Sequence, residues 1–153
     1  MKTAADLRSL AERRTWDKEI IVWLGLLESL LTHLPAGSVD IKQLDLLDLV
    51  SDSDLPEEDA RTEFRRALDT RLKSLAPSPD KRCILIVTST ALLANFNTGL
   101  VGFFSWFCSD RAMVILHVDG IPEKLSLPSE FEFRATALLD YLVQPDHAKE
   151  IYA

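Results

Sequence analysis

The sequence predicts an α/β fold, a mostly parallel sheet flanked by helices, and three observations predict it. Short runs rich in β-branched residues alternate with longer stretches of helical spacing, the order that builds β-α-β units. The stretch from Cys83 to Ser109 carries no charged residue, and polar and small residues break it into pieces too short for one helix. The chain has 153 residues, the length of one domain with a real core. Residues 1–153 are therefore expected to form a single α/β domain.

The elements follow in order. An amphipathic helix is expected over about residues 3–14, with Leu7 and Leu10 inward. Glu19–Leu24 (EIIVWL) is the first strand, with Trp23 in the core and Trp16 at its edge. Leu26–Leu34 has helical spacing and is stopped by Pro35-Ala36-Gly37. Ser38–Leu46 reads as a second, less buried strand through Val39, Ile41 and Leu44, and Leu46–Val50 could open a short helix. Ser51-Asp52-Ser53-Asp54 is an acidic loop, after which a helix covers 57–75 until Pro77 and Pro79 end it. A third strand at 83–88, a loop, a helix near 99–108 and a fourth strand at 112–118 come next. Asp119-Gly120 and Pro122 form a turn, a last helix covers about 130–143 before Pro145, and the final residues are read as frayed. The result is β-α-β-α-β-α-β-α, the order of a mostly parallel sheet.

The charge-free run is long enough to cross a bilayer, which takes about twenty apolar residues. Thr88-Ser89-Thr90 and then Asn95 to Gly99 interrupt it, and asparagines in mid-span are costly in lipid. It is read instead as strand, loop and helix. Charged residues such as Asp6, Arg8 and Glu12 scatter through the first residues with no apolar run there, so no secretory signal is expected. The net charge of −7 argues against a surface that grips a phosphate backbone. Arg61, Arg65, Arg66, Arg71 and Lys73 interleave with acids on one helix, a self-compensated face. Cys83 and Cys108 lie in apolar surroundings at no metal-ligand spacing and read as buried thiols of a reducing, cytoplasmic compartment.

In parallel sheets, ligands bind beyond the carboxyl ends of the strands. The residues expected there are Gly25, then Thr88, Ser89 and Thr90, then His117, Asp119 and Gly120. No G-x-x-x-x-G-K-[ST] or G-x-G-x-x-G motif exists, and no lysine follows Gly25 to reach a phosphate. Gly99 and Gly102 are expected to permit close helix packing. Ser89 follows a strand, but its neighbours Thr88 and Thr90 are not glycines, so a tight nucleophile elbow is not expected. His117 and Asp119 share one face of an extended segment and are read as a hydrogen-bonded structural pair, proton transfer or metal ligation being the functional alternative. Asp40, Asp45, Asp48, Asp52 and Asp54 lack the Gly and Glu of an EF-hand loop and read as a solvated acidic region. No catalytic residue, metal site or cofactor is assigned. Phe103, Phe104, Trp106 and Phe107 crowd one short helix, either wedged in the core or turned in part to a partner.

The arrangement resembles a family. The amphipathic first helix, the strand EIIVWL, the strand and turn VDIKQLDLLDLV and the charged helix EEDARTEFRRALDTRLKSL follow its pattern. So do ILIVTST with ALLANF, AMVILHVDG and IPE. This order is similar to that of the small accessory proteins of bacterial phage-exclusion islands of the BREX/Pgl type, the B-type proteins and their P-loop-bearing F-type relatives. The likeness covers about residues 5–123. Thr88 matches the threonine of that family's T-G-V-G-like turn, whose glycines are missing here, and Gly120 and Glu123 match its P-G-E-like end with an insertion.

The resemblance implies a degenerate RecA/P-loop-like fold without a Walker A motif and no established catalytic residue. It implies a non-enzymatic assembly protein of a cytoplasmic antiphage defence complex. The partners would be a methyltransferase, an ATPase or an alkaline-phosphatase-like subunit, with no direct nucleic-acid or membrane contact. The alternative reading is a small enzyme or nucleotide-responsive switch that uses Thr88, Ser89, His117 and Asp119.

Overall fold

The computed structural model of the chain describes residues 4–23, 26–35, 37–50, 56–78, 80–96, 98–118 and 150–152. Its elements are α1 (Ala4–Ala11), β1 (Ile20–Trp23), α2 (Leu27–Thr32), β2 (Asp40–Asp45), a 3-10 turn (Leu46–Leu49) and α3 (Glu57–Leu75). Then follow β3 (Cys83–Thr88), α4 (Ala91–Asn95), α5 (Val101–Trp106), β4 (Ala112–His117) and β5 (Glu150–Tyr152). The strands lie in the order β2-β3-β4-β1-β5, and every pairing is parallel. The α/β class and the parallel sheet are as the sequence predicts.

All residues of β1 and β4 and all of β3 except Thr88 are buried, which explains their uninterrupted apolar sequences. Successive side chains then enter two separate cores. Ile20, Val22, Leu85, Val87, Val114 and Leu116 pack with Phe64, Leu68 and Leu72 of α3 and Phe103 of α5. Ile21, Trp23, Ile84, Ile86, Met113 and Ile115 pack with Leu7 and Leu10 of α1 and Leu30 of α2. Crossovers between parallel strands are right-handed. The passage from β1 to β2 moves one way across the sheet, and those from β2 to β3 and β3 to β4 move back. A constant hand therefore puts α2 on one face and α3 with α5 on the other, as observed.

The helix of residues 57–75 has the boundaries its pattern predicts, with Phe64, Leu68 and Leu72 on one stripe. Lys42 of the edge strand β2 donates its ammonium to the Leu75 carbonyl at 2.9 Å, a cation on the carboxyl end of α3. Gly102 faces that helix closely: a Cβ there would stand 2.7 Å from Asp69 Oδ1. Gly99 serves differently, since its φ of +82° turns the chain from α4 into α5.

Several expectations are corrected. α1 stops at Ala11, three residues short of the predicted end at 14, and the indole N–H of Trp16 donates to the Leu10 carbonyl at 2.9 Å. Trp16 is itself buried rather than marginal, with the Arg82 guanidinium over its ring and bonded to the Arg13 carbonyl. The charge-free run contains a second helix, α4, where a loop was expected. The last residues, read as frayed, form β5 beside β1. The predicted helix at 130–143 lies outside the described residues. Among the described residues, no helix is long and apolar enough to cross a membrane.

The crowded aromatic helix divides by helical spacing. Phe103 and Phe107 are buried and Phe104 is partly buried, which takes the first two off any interface. Trp106 is 44% exposed and lies under the Lys73 ammonium, 4.0 Å from the ring centroid. Truncating Phe103 to Ala should cost about 3–5 kcal/mol, the range for a buried aromatic. Trp106→Ala should cost less than that, because 44% of its surface is already exposed and its cation–π partner Lys73 is at the surface. Urea unfolding of the two variants measures both, and equal losses would contradict this division of the helix.

Candidate functional site

At the carboxyl edge of the sheet, β3 ends on Thr88, whose neighbour in register is Asp45 at the end of β2. The chain then reverses sharply into α4 through Ser89, which holds φ +58°. This left-handed conformation costs a non-glycine residue about 1–2 kcal/mol. The missing glycines argue against a tight nucleophile elbow, yet Ser89 itself takes the positive φ. Two side-chain bonds hold the turn from either side. Ser89 Oγ donates to Asp45 Oδ1 at 2.6 Å, tying the turn to β2. Thr90 Oγ1 donates to the His117 carbonyl at 2.8 Å, tying it to β4.

Asp45 is the centre of this arrangement. The same Oδ1 also accepts the Leu47 amide at 3.0 Å, which caps the 3-10 turn. The Ser89 hydroxyl foremost, and then the Leu47 N–H, hold the Asp45 carboxyl below the usual carboxylate range, against a smaller opposing effect of burial. A carboxylate so stabilised is a poor base. A serine nucleophile needs a base poised near the working pH, and Asp45 is moved the other way. The elbow-like backbone at Ser89 therefore lacks an activating partner in Asp45.

The first strand closes its own end. The indole N–H of Trp23 donates to the Leu26 carbonyl, three residues on, at 3.0 Å. Trp23 pairs in register with His117, which is itself buried. Thr88, Ser89, Thr90 and His117 thus gather at one edge, as the position rule for parallel sheets predicts. Asp119, Gly120 and Gly25 lie outside the described residues. Asp45 was read as part of a solvated acidic region, yet it is the residue that organises the turn. Its signal was local: an Asp two residues before an amide at the start of a helical turn.

Among the described residues, no group of three or more His, Cys, Asp and Glu side chains could hold a metal ion. Cys83 and Cys108 are free and buried. Burial pushes the Cys83 thiol up, and the Lys42 charge only partly offsets this, so it is a poor nucleophile. Compared with known proteins, the chain matches no family model and no curated sequence.

The Ser89–Asp45 bond has a pH signature. The folded-state pKa of Asp45 is depressed, so its contribution to stability is present above the unfolded value of about 3.9. It is lost as pH falls through the lowered folded value. Ser89→Ala should raise the Asp45 pKa toward the ordinary range and cost about 1 kcal/mol at pH 7. The stability gap between the two proteins should shrink below about pH 4. A carboxyl-carbon NMR titration with parallel thermal unfolding tests this, and an unmoved Asp45 pKa would contradict it.

Proposed function

We propose that the chain is a non-enzymatic accessory protein of a bacterial antiphage defence complex of the BREX/Pgl type, working in the cytoplasm through contacts with larger subunits. The observation that carries the non-enzymatic part is the Asp45–Ser89 pair. The edge where an α/β protein does its chemistry holds a serine bound to a carboxylate kept ionised, which anchors a turn and activates nothing. The sequence after β1, where a phosphate-binding loop would stand, is Trp23-Leu24-Gly25-Leu26-Leu27, and the Trp23 indole bonds to the Leu26 carbonyl.

The degenerate RecA-like part of the reading has one support from topology. The order β2-β3-β4-β1-β5, with β1 between β4 and β5, is the order a RecA-like core would have. The family resemblance across residues 5–123 supplies the rest, including the expected partners: a methyltransferase, an ATPase or an alkaline-phosphatase-like subunit. A second reading, a small enzyme or nucleotide-responsive switch, is favoured by the left-handed backbone of Ser89, because strained conformations concentrate at working sites.

Co-expression with the other subunits of such a system separates the two readings. A stoichiometric complex with one of the three expected partners, and loss of phage exclusion when the chain is deleted, is the expected result. The assembly role should survive Ser89→Ala and His117→Ala in folded protein. Hydrolysis or nucleotide binding by the isolated chain that disappears in those variants would overturn the proposal.

A further inference from the structure

Two leucines at the carboxyl edge stand exposed among the described residues, and one of them breaks a local rule. Leu26 occupies the N-cap position of α2, where leucine is among the least favourable residues, and makes no side-chain cap. It is 75% exposed. Its φ of −69° and ψ of 143° suit a capping serine or aspartate well. Leu47, in the 3-10 turn after β2, is 61% exposed, although Leu46 beside it is fully buried. Departures of this kind are expected where a residue serves something outside the fold.

The charges around them state what that something is. Glu28 follows Leu26, Asp45 and Asp48 flank Leu47, and Glu57 and Glu58 open α3, which packs on the 3-10 turn. No lysine or arginine occurs in the described segments 26–32, 45–50, 56–60, 88–96 or 117–118 of this edge. The Asp45 carboxyl stays ionised through its bonds to Ser89 and Leu47. The ends of β3 and β4 lie between those of β1 and β2, so strand spacing sets the ends of the two strands that lead to these leucines about 14 Å apart. A helix rising about 1.5 Å per residue bridges that distance in about ten residues.

We propose that Leu26 and Leu47 dock a basic, leucine-bearing amphipathic segment of a partner protein, the acidic surround selecting its charge. This deepens the assembly reading, on which it rests, by naming the surface and the chemistry of its partner. Apolar side chains of the segment cover the two leucines, and its lysines or arginines meet the surrounding carboxylates, which speeds encounter and excludes acidic competitors.

The probe is a labelled amphipathic peptide of about twelve residues with Leu at helical spacing and Lys elsewhere, titrated with the full chain by fluorescence anisotropy. Its Glu/Leu and Lys/Ser counterparts are controls. Saturable binding of the Lys/Leu peptide, weakening with added salt, is expected, and neither control should match it. Leu26→Ser with Leu47→Ser should weaken binding at least about tenfold at unchanged net charge. Leu26→Ser alone should raise the melting temperature, because serine caps α2. Lost binding in a double variant whose melting temperature has not fallen cannot be a folding defect. Undiminished binding by the double variant, or equal binding of the Glu/Leu peptide, overturns the inference. A defence-system complex that forms with the double variant intact would sink this surface and leave the assembly role standing. Specific peptide binding without any such complex would do the reverse.

Discussion

The constraint on which the rest of the structure depends is the burial of β1, β3 and β4 on both faces. A strand with apolar side chains above and below has no water for its backbone, so every N–H and C=O must find a neighbouring strand. Parallel neighbours supply those bonds here, and both faces then have to be roofed. The crossovers roof them, and their constant hand decides which helix goes where. α2 lies over the core of Ile21, Trp23 and Ile115, and α3 and α5 lie over that of Val22, Val87 and Leu116. The chain leaves β1 toward one face and β3 toward the other. The space between those exits, at the end of β4, is where such a sheet offers a site. Its location follows from core burial alone.

What fills that space decides between chemistry and contact. A phosphate-binding edge presents backbone N–H groups and cations, and this edge presents carboxylates. The Asp45 charge is held by two donors inside the chain, so it contributes a fixed negative potential. It is not a proton acceptor waiting for substrate. The Trp23 indole at the β1 exit spends its one donor on the Leu26 carbonyl. Three donors at this edge are engaged within the chain: Ser89 to Asp45, Thr90 to the His117 carbonyl and Trp23 to the Leu26 carbonyl. On the proposed reading, a nucleotide-type edge has become a self-satisfied one whose remaining function is to be touched.

β1, β3 and β4 were legible because burial on both faces leaves a continuous apolar signature, and α3 because its buried stripe repeats long enough to show a period. Features set by tertiary contacts were not legible. The end of α1 depends on an indole arriving from Trp16, which nothing within the helix announces. α4 has too few residues to show periodicity inside a run that is apolar throughout. β5 is recognisable only by its neighbour β1, since Glu150-Ile151-Tyr152 carries no strand pattern of its own. The candidate edge was legible in position, through Thr88, Ser89 and His117. Its chemistry was not, because that rests on Asp45, which is 44 residues from Ser89 along the chain and meets it only through the register of β2 on β3.

The irregular residues of this edge fall into two kinds, and the difference bears on function more than their number does. Ser89 sits in a left-handed conformation that costs about 1–2 kcal/mol, but its hydroxyl bonds a carboxylate, an interaction worth a similar amount. The chain itself accounts for Ser89, and no ligand is needed to explain it. Leu26 forgoes a cap and exposes an apolar side chain, and nothing in the described structure returns that free energy. Of the two, the second bears more weight as a sign of function. Strain that the fold offsets can persist in any protein, whereas a cost that nothing in the described residues offsets leaves room for a role beyond them.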